Sequence, residues 1–401
     1  MLKSFRKLVK QFQSMPEREF RNGRTKDQAL EHIACIKHHS GYVQELRAYL
    51  YSHDPDIRRA AASALNNLDW SARNEADRLV WGLAADGHPD MDNLSAAGLL
   101  SAWEAETSLA PGAYWAPVVL AGLVNGGQRF RPDLYTVAQD HQRSMNTRTL
   151  ALWSLGIRGE QDGRSLSDLY GQENNHRVQR STIQALRFCG PEATSVLGDI
   201  LDQEADEDLC LELALALAGM GQEAVPALRD RLENETRRVR EYAGLALLAL
   251  ADPQGLTLLY AIKSSTRDGR LKALVNEWMI AMHGDSSTWE ELSTARAAAG
   301  LCSRQRIQQA MTRADNQVLD MIFVSQLAHI PGGGSIPVVQ DIIRSTDREE
   351  LVFEACQAMG GLGARLELQA FLGQGNPLVR TYACLALLAT GFPVMQALAE
   401  T

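Results

Sequence analysis

The sequence predicts an all-α protein built as an α-solenoid, and three observations carry that prediction. Aromatic residues make up only 6% of the 401 residues, and the abundance of Ala and Leu favours small side chains between helices over strands rich in β-branched and aromatic residues. Glycines recur just beyond helical patterns at Gly159, Gly190, Gly221, Gly255 and Gly284, then at Gly332, Gly363 and Gly391, with spacings of 28 to 34 residues within each series. Each sits where a helix C-cap belongs. Between the glycines lie two amphipathic stretches joined by a short polar turn. Such a hairpin cannot bury its apolar faces alone, so neighbours must stack into a continuous core.

Along the chain, residues 2 to 12 place Leu2, Phe5, Leu8, Val9 and Phe12 on one stripe, with Lys3, Arg6, Lys7 and Lys10 around it. That pattern predicts a basic amphipathic helix within a 1–26 segment of net charge +6, which leaves −15 for the rest. It suits capping of the first hairpin, docking on a partner, or contact with an anionic membrane. Residues 27 to 70 read as repeats. The stretch 71–159 keeps helical patterns at 76–83, 94–103, 115–123 and 147–155, but its period is loose, with Pro89, Pro111, Pro117 and Pro132 marking breaks or helix starts. Trp81, Trp103, Trp115 and Trp153 concentrate there, with Trp70 at its edge. From residue 160 the period is regular. Ala224, Val225, Leu228 and Leu232 make one apolar face, and Val239, Tyr242, Ala243, Leu247 and Leu250 its partner. Residues 285 to 330 depart from the period again and read as three helices. The array from 27 to 401 thus holds roughly ten hairpins.

Composition narrows the possible functions. A net charge of −9 argues against a general nucleic-acid coat, which depends on Lys and Arg contacts to phosphates. Cys35, Cys189, Cys210, Cys302, Cys356 and Cys384 are scattered without a CxxC pair, which suits reduced thiols in a cytoplasmic compartment. Apolar runs are too short to span a bilayer, and no apolar core of signal-peptide type follows the basic start.

A turn ending in Val or Ile, then Arg, then a helix rich in Ala and Leu, recurs as Asp54-Pro55-Asp56-Ile57-Arg58-Arg59-Ala60-Ala61, as Val239-Arg240-Glu241-Tyr242-Ala243 and as Pro377-Leu378-Val379-Arg380-Thr381-Tyr382-Ala383. Arg177-Val178-Gln179-Arg180 is a weaker copy. These motifs resemble the HEAT-repeat family, in particular its short form first associated with phycobilin lyases, over residues 27–70 and 160–401. The resemblance implies stacked antiparallel hairpins in which Arg58, Arg240 and Arg380 bond a neighbouring repeat's turn carboxylate or carbonyl. A ladder of phosphate-binding arginines is the alternative role for them.

Candidate chemistry is sparse. Some HEAT-like hydroxylases hold two irons with His-Glu pairs, but this chain has no His-Glu dipeptide. His32, Cys35 and His39 share a helix face without an identifiable fourth zinc ligand. Gly332 to Gly334 are followed by Ser335 and Ile336, not by the Lys and Ser or Thr of a phosphate-binding loop. No cofactor, metal or catalytic set is therefore expected. Two charged segments remain as partner-binding candidates besides Leu2, Phe5, Lys7 and Lys10. His176, Arg177, Arg180 and Arg187 lie on one helix and suit an acidic surface. Asp202, Glu204, Asp206, Glu207, Asp208 and Glu212 span a turn and a helix start, and suit a basic segment beyond what the helix dipole requires. The sequence reading is a non-catalytic adaptor or regulator that binds a protein. One alternative is a HEAT-like nucleic-acid-binding or repair protein using the Arg and Trp residues between 143 and 187. A second is a small-molecule or pigment-modifying enzyme.

Overall fold

The computed structural model describes residues 24–52, 54–86, 94–106, 115–159, 163–234, 236–250, 252, 266, 269–283, 304–313, 316–330, 333–373 and 376–400. Among them every regular element is helical. In chain order the α-helices are α1 (Arg24–Ile36), α2 (Val43–Tyr49), α3 (Pro55–Asn67), α4 (Glu75–Asp86), α5 (Ala96–Glu106) and α6 (Trp115–Asn125). Next come α7 (Arg131–Gln139), α8 (Met145–Ile157), α9 (Gly163–Gln172), α10 (His176–Phe188), α11 (Ala193–Gln203), α12 (Glu207–Gly219), α13 (Val225–Leu232) and α14 (Arg237–Ala249). The last are α15 (Gly269–His283), α16 (Arg304–Arg313), α17 (Gln317–His329), α18 (Ile336–Ser345), α19 (Glu349–Gly361), α20 (Arg365–Leu372), α21 (Pro377–Ala389) and α22 (Val394–Glu400).

Helix starts follow local chemistry. Asp54 accepts the N–H groups of Asp56 and Ile57 at the head of α3, with Pro55 in the first turn. Asn175 and Asp206 likewise accept two N–H groups each at the heads of α10 and α12, and Asn316 and Ser144 accept one each at α17 and α8. Helix ends follow the glycine series: Gly190 and Gly221 take φ of +81° and +74°, and Gly363 and Gly391 take +72°, a region that a side chain would strain. Gly255, Gly284 and Gly332 lie outside the described residues. Asp69, at φ +50°, fills the same place after α3, and the Trp70 N–H reaches back to the Leu65 carbonyl.

The chain forms two compact units, one of residues up to 126 with 372–380 and 393–401, the other of 127–371 with 381–392. Lys26 sits inside α1, and the boundary falls in the loosely patterned stretch 71–159, where α4, α5 and α6 occupy three of the anticipated helical patterns. In the first unit α3 packs on α1, α2 and α4, followed by α5 and α6, while α22 lies on α4 and α6. Leu46, Leu50, Ile57, Leu65, Leu79, Leu99 and Leu120 form its core. Trp70 meets Trp81 edge to face at 6.2 Å.

The second unit has two layers. Its inner row runs α8, α10, α12, α14, α17, α19, each packed on the next. Helices α7, α9, α11, α13 and α18 back this row, each against its chain neighbour. Inner helices α8, α10, α12 and α14 are each 13 residues long and begin at 145, 176, 207 and 237. Helices α17 and α19 are also 13 residues long. The approach of α8 to α10 depends on Gly156, where a Cβ would lie 2.1 Å from the Ala185 carbonyl oxygen. No single helix among the described residues is long and apolar enough to cross a membrane.

Candidate interaction surface

The surface is set by the turn that precedes each long helix. At the fourth position of these helices stand Arg58, Arg148, Cys210, Arg240 and Arg380. Arg58 donates to the Ser52 carbonyl at 3.0 Å, Arg240 to the Asn234 carbonyl, and the Cys210 thiol to the Glu204 carbonyl at 3.7 Å. Each of these bonds returns six residues to the helix's own turn, so Arg58 and Arg240 brace their own turns. Arg58 also donates to the Leu398 carbonyl, and both Arg58 and Arg380 are 2% exposed.

The bond from an Arg to a neighbouring turn carboxylate is made by Arg148, whose place is obscured in the sequence because Thr147 stands where the motif has Val or Ile. Its guanidinium pairs with Glu173 and donates to the Ala138 carbonyl at 2.8 Å. Glu173 also accepts the N–H groups of Asn174 and Asn175. Burial works to raise this carboxyl, but the Asn175 N–H, Arg148 and the Asn174 N–H outweigh it and hold it low. One repeat later Glu204 accepts the N–H groups of Ala205 and Asp206 and the Tyr170 hydroxyl. Glu204 is thus a turn brace, and burial together with Glu204 pushes the Tyr170 hydroxyl up.

The basic helix and the acidic segment are neighbours. Helices α10 and α12 start side by side, with His176 Nδ1 3.9 Å from Asp206 and Arg180 Nε 3.0 Å from Glu212. Asp206 caps α12, and Asp202 pairs with Arg231 at 3.0 Å. The remaining exposed groups form a rim at the N-terminal ends of the inner helices: Met145, Asn146, His176, Arg177, Glu207 and Asp208. Arg177 donates to Asn146 at 3.2 Å.

Deeper along α10 the charges turn inward, where the inner row doubles back. Arg187 pairs with Glu354 of α19 at 2.8 Å, with side-chain exposures of 10% and 7%. It reaches that partner across Gly219, where a Cβ would lie 2.0 Å from Arg187 Nε. Arg180 stands between Glu212 and, at 3.4 Å, Glu350 of α19. Burial pushes the Glu212 carboxyl up to about 7; Arg180 and Arg187 oppose this, while Glu354 and Glu350 add to it. Beside the ion pairs, Phe353 stacks near Trp153 and meets Phe188 and Tyr382 edge to face at 6.3 and 5.4 Å. Trp153 donates to Gln184, and Tyr382 to Glu349. Among the Arg and Trp side chains between 143 and 187, Arg148 is paired with Glu173, Arg187 with Glu354, and Trp153 lies beside Phe353, while Arg164 and Arg177 are exposed. Glu350 and Glu354 were not anticipated as site residues. The only sequence signal for Glu354 is a carboxylate inside the apolar run Leu351-Val352-Phe353-Glu354-Ala355-Cys356, and Glu350 is one of two acidic residues in the first turn of α19.

The other candidates are placed as follows. Leu2, Phe5, Lys7 and Lys10 lie outside the described residues. His32 Nδ1 is 3.2 Å from the Tyr49 hydroxyl, and Cys35 is exposed; no group of three metal-ligating side chains is found among the described residues. Burial pushes the Cys356 and Cys384 thiols up, which disfavours their reactive thiolate form. Among known proteins, the chain matches no protein-family model and no curated sequence.

Proposed function

We propose that the chain is an α-solenoid of HEAT-like hairpins that serves as a non-catalytic scaffold, binding a protein partner through the charged rim of its inner helices. The observation that carries this reading is the rim itself. Neighbouring inner helices of equal length present His176 and Arg177 beside Glu207 and Asp208, exposed and of opposite sign. Such an arrangement selects a partner of complementary charge pattern and steers its approach. The repeated 13-residue inner helices and the turn bonds to the sixth preceding residue support the solenoid assignment. The N-terminal segment 1–26, with its basic stripe, is a second docking element in this reading.

A photocrosslinking residue placed at position 177 or 208 tests it. Protein adducts of defined mass, lost when Arg177→Glu is combined with Asp208→Lys, are expected; removal of residues 1–23, which leaves α1 whole, measures the share of the N-terminal segment. Nucleic acid recovered equally with the native and charge-reversed chains would overturn the reading.

A further inference from the structure

The turns that enter the inner helices α8 and α10 border a cavity of about 290 Å³, lined by Gln139, His141, Arg148, Leu169, Gln172 and Glu173. Only Leu169 is apolar. The volume lies below the roughly 300–1,000 Å³ typical of small-molecule sites and suits a single side chain. The cavity adjoins the rim: Met145 and His176 open the two helices, and Asn175 Nδ2 donates to Met145 Sδ at 3.5 Å.

Two of the lining side chains are charged and buried, Arg148 at 7% exposure and Glu173 at 6%. Both oxygens of Glu173 are engaged. Oε1 accepts the N–H groups of Asn174 and Asn175, and Oε2 accepts from Arg148 and lies 3.9 Å from Nδ1 of the exposed His141. The guanidinium is engaged only in part: Nε donates to the Ala138 carbonyl and Nη2 to Glu173, while Nη1 makes no hydrogen bond. Nη1 is not sealed from solvent either, so this edge opens to the cavity that Arg148 lines. One repeat later the donor to Glu204 is the Tyr170 hydroxyl, whose single proton is spent on that bond. Arg148 therefore brings more donors than bracing the turn requires. Gln139 and Gln172, exposed at the last positions of α7 and α9, add carboxamides that both donate and accept.

We propose that this cavity is a specificity pocket of the rim and takes an uncharged carboxamide, the side chain of an Asn or Gln carried by the partner protein; the proposal rests on the reading of the rim as a docking surface. The carboxamide oxygen accepts from Arg148 Nη1, and its NH2 group donates to the side-chain oxygen of Gln139 or Gln172. Neutrality follows from the ion pair already present. A carboxylate entering here meets Glu173, an ammonium meets Arg148, and either sets a further charge beside a pair that is balanced. An aliphatic group would leave Nη1 desolvated without an acceptor.

N-acetylglutamine N-methylamide, titrated into the isotope-labelled full chain, is the probe, with the N-acetylglutamate and N-acetylnorleucine N-methylamides as its charged and apolar counterparts. The amide resonances of Asn174 and Asn175, whose N–H groups bond Glu173, report occupancy. The glutamine probe is expected to give saturable shifts with a dissociation constant in the millimolar range, and each counterpart to bind at least about fivefold more weakly. Arg148→Lys keeps a cation opposite Glu173 but removes the Nη1 edge, and is expected to abolish saturation. Gln172→Leu, at an exposed position that leaves the ion pair in place, is expected to weaken the glutamine probe about threefold and decides the matter should Arg148→Lys not fold. No saturable shift with the glutamine probe overturns the proposal, as does a counterpart that binds as tightly, or binding unchanged in either variant. The probe carries none of the rim's charge pattern, so its failure leaves adducts at positions 177 and 208 standing, and absence of those adducts leaves probe binding to be measured.

Discussion

At the scale of single residues, the interior is organised by where the chain omits a side chain and where it buries a charge. Gly219 gives the Arg187 guanidinium its path to Glu354. Gly219→Ala is expected to displace that guanidinium and destabilise the protein by about 1–3 kcal/mol, seen as a lower midpoint of urea unfolding. Gly171, on α9 with open space around it, is the contrast: Gly171→Ala should stabilise by about 0.5–1 kcal/mol. Glu173 supplies a pH-dependent case. Its carboxyl is held low in the folded state, so its contribution is present above the ordinary carboxyl value and is lost as pH falls through the folded one. Glu173→Gln is expected to lower stability at pH 7 and to remove this part of the acid limb, measured by thermal melts from pH 3 to 7. Arg148 shows why such pairs are hard to read from a motif. Its place in the repeat, fourth in the helix, is visible in the sequence, but its partner lies 25 residues on, in the turn after the next helix.

At the scale of elements, each long helix is specified largely by its own ends. Asn175 and Asp206 cap α10 and α12 through two N–H groups each. Asn175→Ala or Asp206→Ala is expected to cost about 1 kcal/mol apiece, readable as a loss of amide protection confined to the first turn of the helix concerned. The helices at 76–83, 94–103, 115–123 and 147–155 were legible because their apolar spacing is local, and so were the caps at Gly190, Gly221, Gly363 and Gly391. Asp69 was not, because an Asp in the left-handed region carries no signature until the backbone is seen. The rim was half legible. The charges of His176 and Arg177, and of Glu207 and Asp208, stood out in the sequence, but as two separate surfaces. Only the packing of α10 beside α12 makes them one surface, with His176 3.9 Å from Asp206.

At the scale of the whole molecule, the second unit is held by contacts between helices far apart in the chain. Phe353 of α19 touches aromatic rings from α8, α10 and α21 and is 3% exposed. Phe353→Ala is expected to cost about 3–5 kcal/mol and to alter the fluorescence of Trp153, a pairing that a variant affecting α19 alone would leave unchanged. The sequence by itself determined the helical class, the hairpin period and the helix ends, because backbone hydrogen bonding, caps and turn bonds operate within one repeat. Only the tertiary structure decided that Arg180 and Glu350, 170 positions apart, face each other. An Arg on an inner helix has the same local pattern whether it meets solvent, a partner or another helix. Which of these it meets depends on how the row of helices turns back, the sum of many small packing angles that no local spacing records.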